Sequence, residues 1–228
     1  MTPLAACVLS PVLGTDVWSL GDPAAISDAF TAAADRTRER SRDLVGVYGK
    51  LGDMVRGSDL EIAVSPVLGR IVIAARPLDD RYHPAVVIEF CAILAGQCFE
   101  DLLQRPVPTR LFRGAVAYGP GDLSGGRLIG PAFEDADACA MRTHGAFLWL
   151  APSALAVYSS GSIASTILGD CDIPLTGGDH LPSKAVRLRL DASAAACFKD
   201  KAAMPCGVDG AVAQAHSLRH LAWLGTRR

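Results

Sequence analysis

Residues 111–142 read LFRGAVAYGPGDLSGGRLIGPAFEDADACAMR, and the fold is decided here. Leu111 to Tyr118 reads as a strand, and Gly119-Pro120-Gly121-Asp122-Leu123-Ser124-Gly125-Gly126 has the composition of a loop. Arg127-Leu128-Ile129-Gly130 returns as a strand, and Pro131 to about Arg142 resumes as a helix. The unit is strand, loop, strand, helix.

Upstream, Leu4 to Leu13 is apolar and β-leaning and closes on Gly14. Asp22-Pro23 supplies an N-cap and a first-turn proline for one long or two short helices over Ala24 to about Lys50. The alternating charges from Asp35 to Asp43 read as a solvated helix face. Leu60 to Val64 and Arg70 to Ala74 are short β-rich runs with Pro66 and Gly69 between them, which predicts a hairpin. His83-Pro84 opens a helix whose apolar residues Val87, Phe90, Cys91, Leu94, Cys98 and Leu102 keep helical spacing until Pro106.

Downstream, Ala146 to Leu150 reads as a strand and Pro152 starts a short helix. Leu175 to Asp179 looks like a turn, Ala185 to Leu190 a strand and Val208 to Leu224 a helix. The order β-α-β-β-α-β-β-α-β plus a tail predicts an α+β fold, an antiparallel or mixed sheet with helices packed on it. The predicted organisation is one domain over 1–158 and a C-terminal extension over 159–228 packed on it.

Composition narrows the function. The 228 residues carry 22 Lys+Arg against 24 Asp+Glu, a net charge of -2, which argues against a nucleic-acid binder. A 50% hydrophobic content argues against a disordered chain. No stretch approaches the roughly 18–20 apolar residues of a membrane span. The N-terminal residues lack a basic segment and are cut by Pro3 and Pro11, unlike a signal peptide. Seven cysteines with no C-x-x-C pair predict reduced thiols and a cytoplasmic location.

Arg113-Gly114-Ala115-Val116-Ala117-Tyr118-Gly119, the loop after it, and Ile129-Gly130-Pro131-Ala132-Phe133-Glu134-Asp135-Ala136 together resemble a hairpin of the class III nucleotide cyclase homology domain. Ala151-Pro152-Ser153 after a strand fits the same resemblance, which covers roughly Leu4 to Val157. It is nearest to the compact bacterial versions, which include pyrimidine cyclases of phage defence. The resemblance implies a ferredoxin-like cyclase fold and a site between two subunits. The partner is then a second copy or a related cyclase domain.

The departures from that family bear on chemistry. Active members hold two divalent metals with two Asp residues, one in the first strand and one at the tip of the following hairpin. The matching positions here are Pro11 and Gly69, and neither has a carboxylate. Deprotonating a ribose hydroxyl and neutralising a triphosphate both rely on carboxylate-held Mg²⁺. An Asn and an Arg four residues later, on the helix after the last hairpin, become Glu134 and Ala138, with Arg142 one turn further on. The resemblance leaves Arg113, Asp135 and Arg142 as binding residues.

Three functions follow as expectations. The first is a degenerate cyclase-like domain that binds a protein partner or a nucleotide and needs no cofactor. The second is an active cyclase of purine or pyrimidine nucleotides, using Mg²⁺ or Mn²⁺ on carboxylates such as Asp53, Asp59 and Glu61. The third is an assembly protein with a filled, apolar cleft.

Other constellations are weaker. His216 and His220 stand four apart on one helix face, a chelating spacing without the Glu of H-E-x-x-H, and His180 is a distant third. His83 reads as a helix-entry residue and His144 as a turn residue. Gly119 to Gly126 lacks the phosphate-loop pattern and joins strands rather than opening a helix. Lys184, Arg187 and Arg189 form a basic cluster, the two arginines on one face of a half-exposed strand or of a phosphate-binding stripe.

Overall fold

The computed structural model describes residues 1–12, 22–48, 60–67, 69–78, 82–106, 110–124, 128–160, 165–203 and 207–225. Its elements in chain order are β1 (Thr2–Pro11), α1 (Pro23–Tyr48), β2 (Leu60–Val67), β3 (Arg70–Pro77), α2 (Pro84–Gln104), β4 (Phe112–Gly121) and α3 (Pro131–Arg142). Then come β5 (Leu148–Leu150), α4 (Pro152–Ser159), β6 (Leu168–Pro174), β7 (His180–Val186), α5 (Ala192–Ala202) and α6 (Gly207–Gly225). Seven strands form one sheet in the order β2-β3-β1-β4-β5-β7-β6. Only β4–β5 is parallel, so the sheet is mixed and the fold is α+β.

β1 is a central strand with both neighbours antiparallel, and both of its faces are buried. That explains its unbroken apolar run, since alternation appears only where one face meets water. Ala5, Cys7 and Leu9 face a core shared with α1 and α2 through Phe30, Ile88 and Leu94, while Leu4, Ala6 and Val8 face Ala132, Phe133 and Ala136 of α3. Buried thiols behave as small apolar groups, and burial holds Cys7 and Cys91 well above the usual range and pushes Cys98 up to about 12.

The long helix over 24–50 is one helix as far as Tyr48. His83 caps α2, its Nδ1 accepting from the Ala85 N–H at 3.2 Å. The hairpin over 60–74 is present, but β2 runs through Pro66 to Val67, leaving a two-residue turn with Gly69 at φ 75°. Proline fits there because β2 is a sheet edge and one side of it needs no ladder bonds.

Three local expectations need correction. β4 continues through Gly119 and Pro120 to Gly121, so the loop starts later, and Gly125 to Arg127 lie outside the described residues. The expected strand 127–130 is a single bridge, Asp122 to Ile129, because Gly130 (φ 125°) then turns the chain into α3. A Cβ on Gly130 would stand 2.9 Å from the Pro120 carbonyl oxygen and 2.9 Å from the Gly121 Cα, so only glycine fits. The strand placed at Ala185 to Leu190 is instead β7, which ends at Val186, and the alternation Arg187, Leu188, Arg189, Leu190 continues in irregular chain. β6 and α5 were not anticipated. The segment after residue 158 thus adds two strands to the same sheet.

Candidate functional site

β1 and β3 pair with Ala5 opposite Ala75 through Leu9 opposite Ile71. Continuing that register by two residues sets Pro11, the last residue of β1, across from Gly69 in the hairpin turn. The two positions named from the resemblance are therefore neighbours at one end of the sheet. Their side chains are a pyrrolidine ring and a hydrogen, so they offer no oxygen to Mg²⁺ or Mn²⁺, and the metal pair of active cyclases does not fit these residues. Glu61 lies near the far end of β2, opposite Arg76 in register and ion-paired with it. Asp53 and Asp59 lie outside the described residues.

Beside the hairpin runs a groove of about 360 Å³ between the sheet and α3. Val8, Val67, Val72, Leu128 and Phe133 give it an apolar lining. Its polar members are Glu134 and an ion pair in which Arg70 Nη1 donates to Asp137 Oδ1 at 2.6 Å. α3 is set over the sheet by Pro131 in its first turn, Glu134 near its N-terminus and Arg142 in its last turn, each sign opposing the local helix dipole. Ala132, Phe133, Ala136, Cys139 and Ala140 are its buried side. Glu134, Ala138 and Arg142 form an exposed row at four-residue spacing on the opposite side. Glu134 thus borders the groove, and Arg142 is two turns further along.

Arg113 and Asp135 are placed differently. Arg113 is only 3% exposed. Its Nη1 donates to the Thr143 carbonyl at 2.5 Å and its Nη2 lies 3.6 Å from Met141 Sδ. Burial lowers its pKa to about 10, with Arg70 acting in the same sense and Asp137 opposing. Thr143 Oγ1 in turn donates to the Cys139 carbonyl at 3.0 Å and accepts from Trp149 Nε1 at 2.7 Å. Arg113 therefore ties β4 to the end of α3 from inside. Asp135 accepts hydrogen bonds from Ser153 and from Cys139 Sγ (3.5 Å), and Ser153 Oγ also accepts from the Tyr118 N–H at 3.3 Å. That bracket joins α3, α4 and β4. Burial and the Asp135 carboxylate push the Cys139 thiol up to about 12, so no thiolate forms near neutrality.

Sequence reasoning passed over Arg70, Phe133 and Asp137, because an Arg–Asp pair separated by 67 residues leaves no local signal. It also set His144 and His180 aside. The fold brings His216 of α6 within 5.5 Å (ring centroids) of His144 and 6.0 Å of His180. The described His, Cys, Asp and Glu residues include no group of three or more arranged to hold a metal ion.

No family model matches the chain and no curated protein matches it. Solved structures do. Two of them are described as a bacterial light-regulated adenylyl cyclase. The first shares 9% identity at a TM-score of 0.44 and covers 88% of this chain, which spans 57% of that one. The second shares 10% identity at a TM-score of 0.39 and covers 82% of this chain and 91% of its own. No helix among the described residues is long and apolar enough to cross a membrane.

Proposed function

We propose that this chain is a cyclase-like domain that works by binding, and that its groove beside the β2–β3 hairpin receives a protein partner, either a second copy or a related domain. The observation that carries the reading is the apolar groove lined by Val8 of β1 and by Val67, Arg70 and Val72 of the β2–β3 hairpin, the same two elements that hold Pro11 and Gly69. Where an active cyclase needs two anionic ligands for metal, this chain presents no side-chain oxygen. What it presents instead is surface for apolar contact, with Val67 of the groove's lining 41% exposed. Partly exposed aliphatic residues ringed by an ion pair and a carboxylate match the usual apolar centre and polar rim of an interface.

Calorimetry with ATP, GTP, CTP and UTP in Mg²⁺ or Mn²⁺, followed by assay of the same samples for cyclic product, tests the catalytic half. The expected result is no cyclic product. Product formation would overturn the reading and direct attention to Glu134, Asp137 and the carboxylates outside the described residues. Sedimentation of the wild-type chain against Val67→Asp tests the binding half. A self-associating wild type and a monomeric variant are expected if the partner is a second copy. A wild type that stays monomeric at all concentrations leaves the related domain as partner.

A further inference from the structure

A second cavity, of about 450 Å³, lies between α6 and the β6–β7 hairpin, remote in sequence from the groove. Its volume is that of a small-molecule site. Phe147 and Trp223 flank His220, whose ring lies 4.4 Å from that of Phe147 and 5.3 Å from that of Trp223, nearly parallel to the latter at 18°. His220 is 1% exposed, and neither of its ring nitrogens has a hydrogen-bond partner. A buried imidazole with nothing to bond costs stability, yet aliphatic side chains of similar size would fill the space without that cost. This end of the cavity is aromatic, with the unsatisfied His220 ring stacked on Trp223 and tilted against Phe147.

The other end carries imidazoles and a guanidinium. His216 and His180 line it, and Arg219 of α6 stands beside His216. No described carboxylate pairs with Arg219. The charges that bear on His216 are those of His144, Arg219 and His180, and all three, with burial, depress its pKa. The acidic residues of the cavity are on the β6 rim, where Asp170 is ion-paired with Lys184 at 2.7 Å and Asp172 neighbours Cys171. An anion placed against α6 would therefore meet the His216 imidazole and the Arg219 guanidinium, with His180 and the carboxylates Asp170 and Asp172 on the β6–β7 hairpin opposite.

We infer that this cavity binds a planar aromatic molecule carrying a phosphate or carboxylate, its ring on Phe147 and Trp223 and its anionic group on Arg219, His216 and His180. The Arg219 guanidinium makes charge-assisted bonds to such an anion, and imidazole N–H groups donate to it as well. An aromatic wall contributes further through ring contacts. The site is independent of the groove and of the reading given to it.

The test uses the full-length chain with phenyl phosphate and benzoate as probes, followed by calorimetry and by tryptophan fluorescence. Inorganic phosphate supplies the charge without the ring, and phenol the ring without the charge. Saturable one-to-one binding of phenyl phosphate or benzoate is expected, with phosphate and phenol each about tenfold weaker or worse. Which probe binds more tightly separates the two anions. Arg219→Gln, at an exposed position where folding is unaffected, should weaken the binding by about tenfold. Absence of saturable binding at millimolar probe, or equal affinity in wild type and Arg219→Gln, would overturn the proposal. Binding of phenol as tight as that of phenyl phosphate would overturn it as well.

Discussion

The groove at the β2–β3 hairpin and the cavity under α6 are opposites in how they are made. The groove sits where sequence motifs converge, yet its lining is mostly apolar and its only polar members are Glu134 and the Arg70–Asp137 ion pair. The α6 cavity carries only the i,i+4 spacing of His216 and His220, but it gathers three imidazoles, one of them the buried, unpartnered His220, and an arginine. Function belongs to the site and not to the fold.

The comparison can be broken most forcefully at Gly130. Substitution by Ala forces a side chain onto a φ of 125° and against the Pro120 and Gly121 backbone. The loss of stability should be about 3 kcal/mol, read from the urea midpoint. Because α3 is the groove's wall, partner binding should fail in this variant before any aromatic ligand at α6 does.

Acid should attack the other region. Burial lowers the His220 pKa to about 3, and His216 is shifted in the same direction. The unfolded imidazole titrates near 6.5, so below that pH the unfolded state binds protons that the folded state refuses. The stability these histidines allow is complete above about pH 6.5 and is lost as pH falls toward 3. Between pH 6.5 and 5, His220 alone should account for about 2 kcal/mol. His220→Phe should flatten that slope in urea melts at the two pH values. An unchanged slope would mean that the ring is not buried as described.

The smallest effect is expected at Asp137→Asn. Both partners of the Arg70–Asp137 pair are about one-third exposed, and pairs of that kind are worth roughly 0.2–1 kcal/mol. The variant should melt within a degree or two of the wild type while changing the salt dependence of partner binding.

Some of this was legible in the chain. Pro131 and the apolar spacing after it mark α3, and Gly69 between two β-rich runs marks the hairpin. Each signal is local, a backbone preference or a side-chain period that one segment carries by itself. β6 escaped because LGDCDIP is polar, as an edge strand can be, and β7 was read only in its last two residues because HLPSK before them is polar and holds Pro182. α5 was also missed, although Asp191 caps it by accepting from the Ala194 N–H at 2.7 Å. Arg113 looked like a ligand-facing residue in a motif, but the alternation of β4 and the return of residue 143 put it inside.

By itself the sequence determined the α+β class, the helices that begin at Pro23, Pro84 and Pro131, and the lack of carboxylates at Pro11 and Gly69. Those follow from residue identity and short-range stereochemistry. Only tertiary structure decided that β1 and β3 pair so as to bring Pro11 and Gly69 to the same end of the sheet, that Arg70 meets Asp137, and that His144, His180 and His216 share one corner. Strand register and helix docking place residues far apart in the chain side by side, and that proximity is fixed by burying both faces of β1 rather than by any local preference.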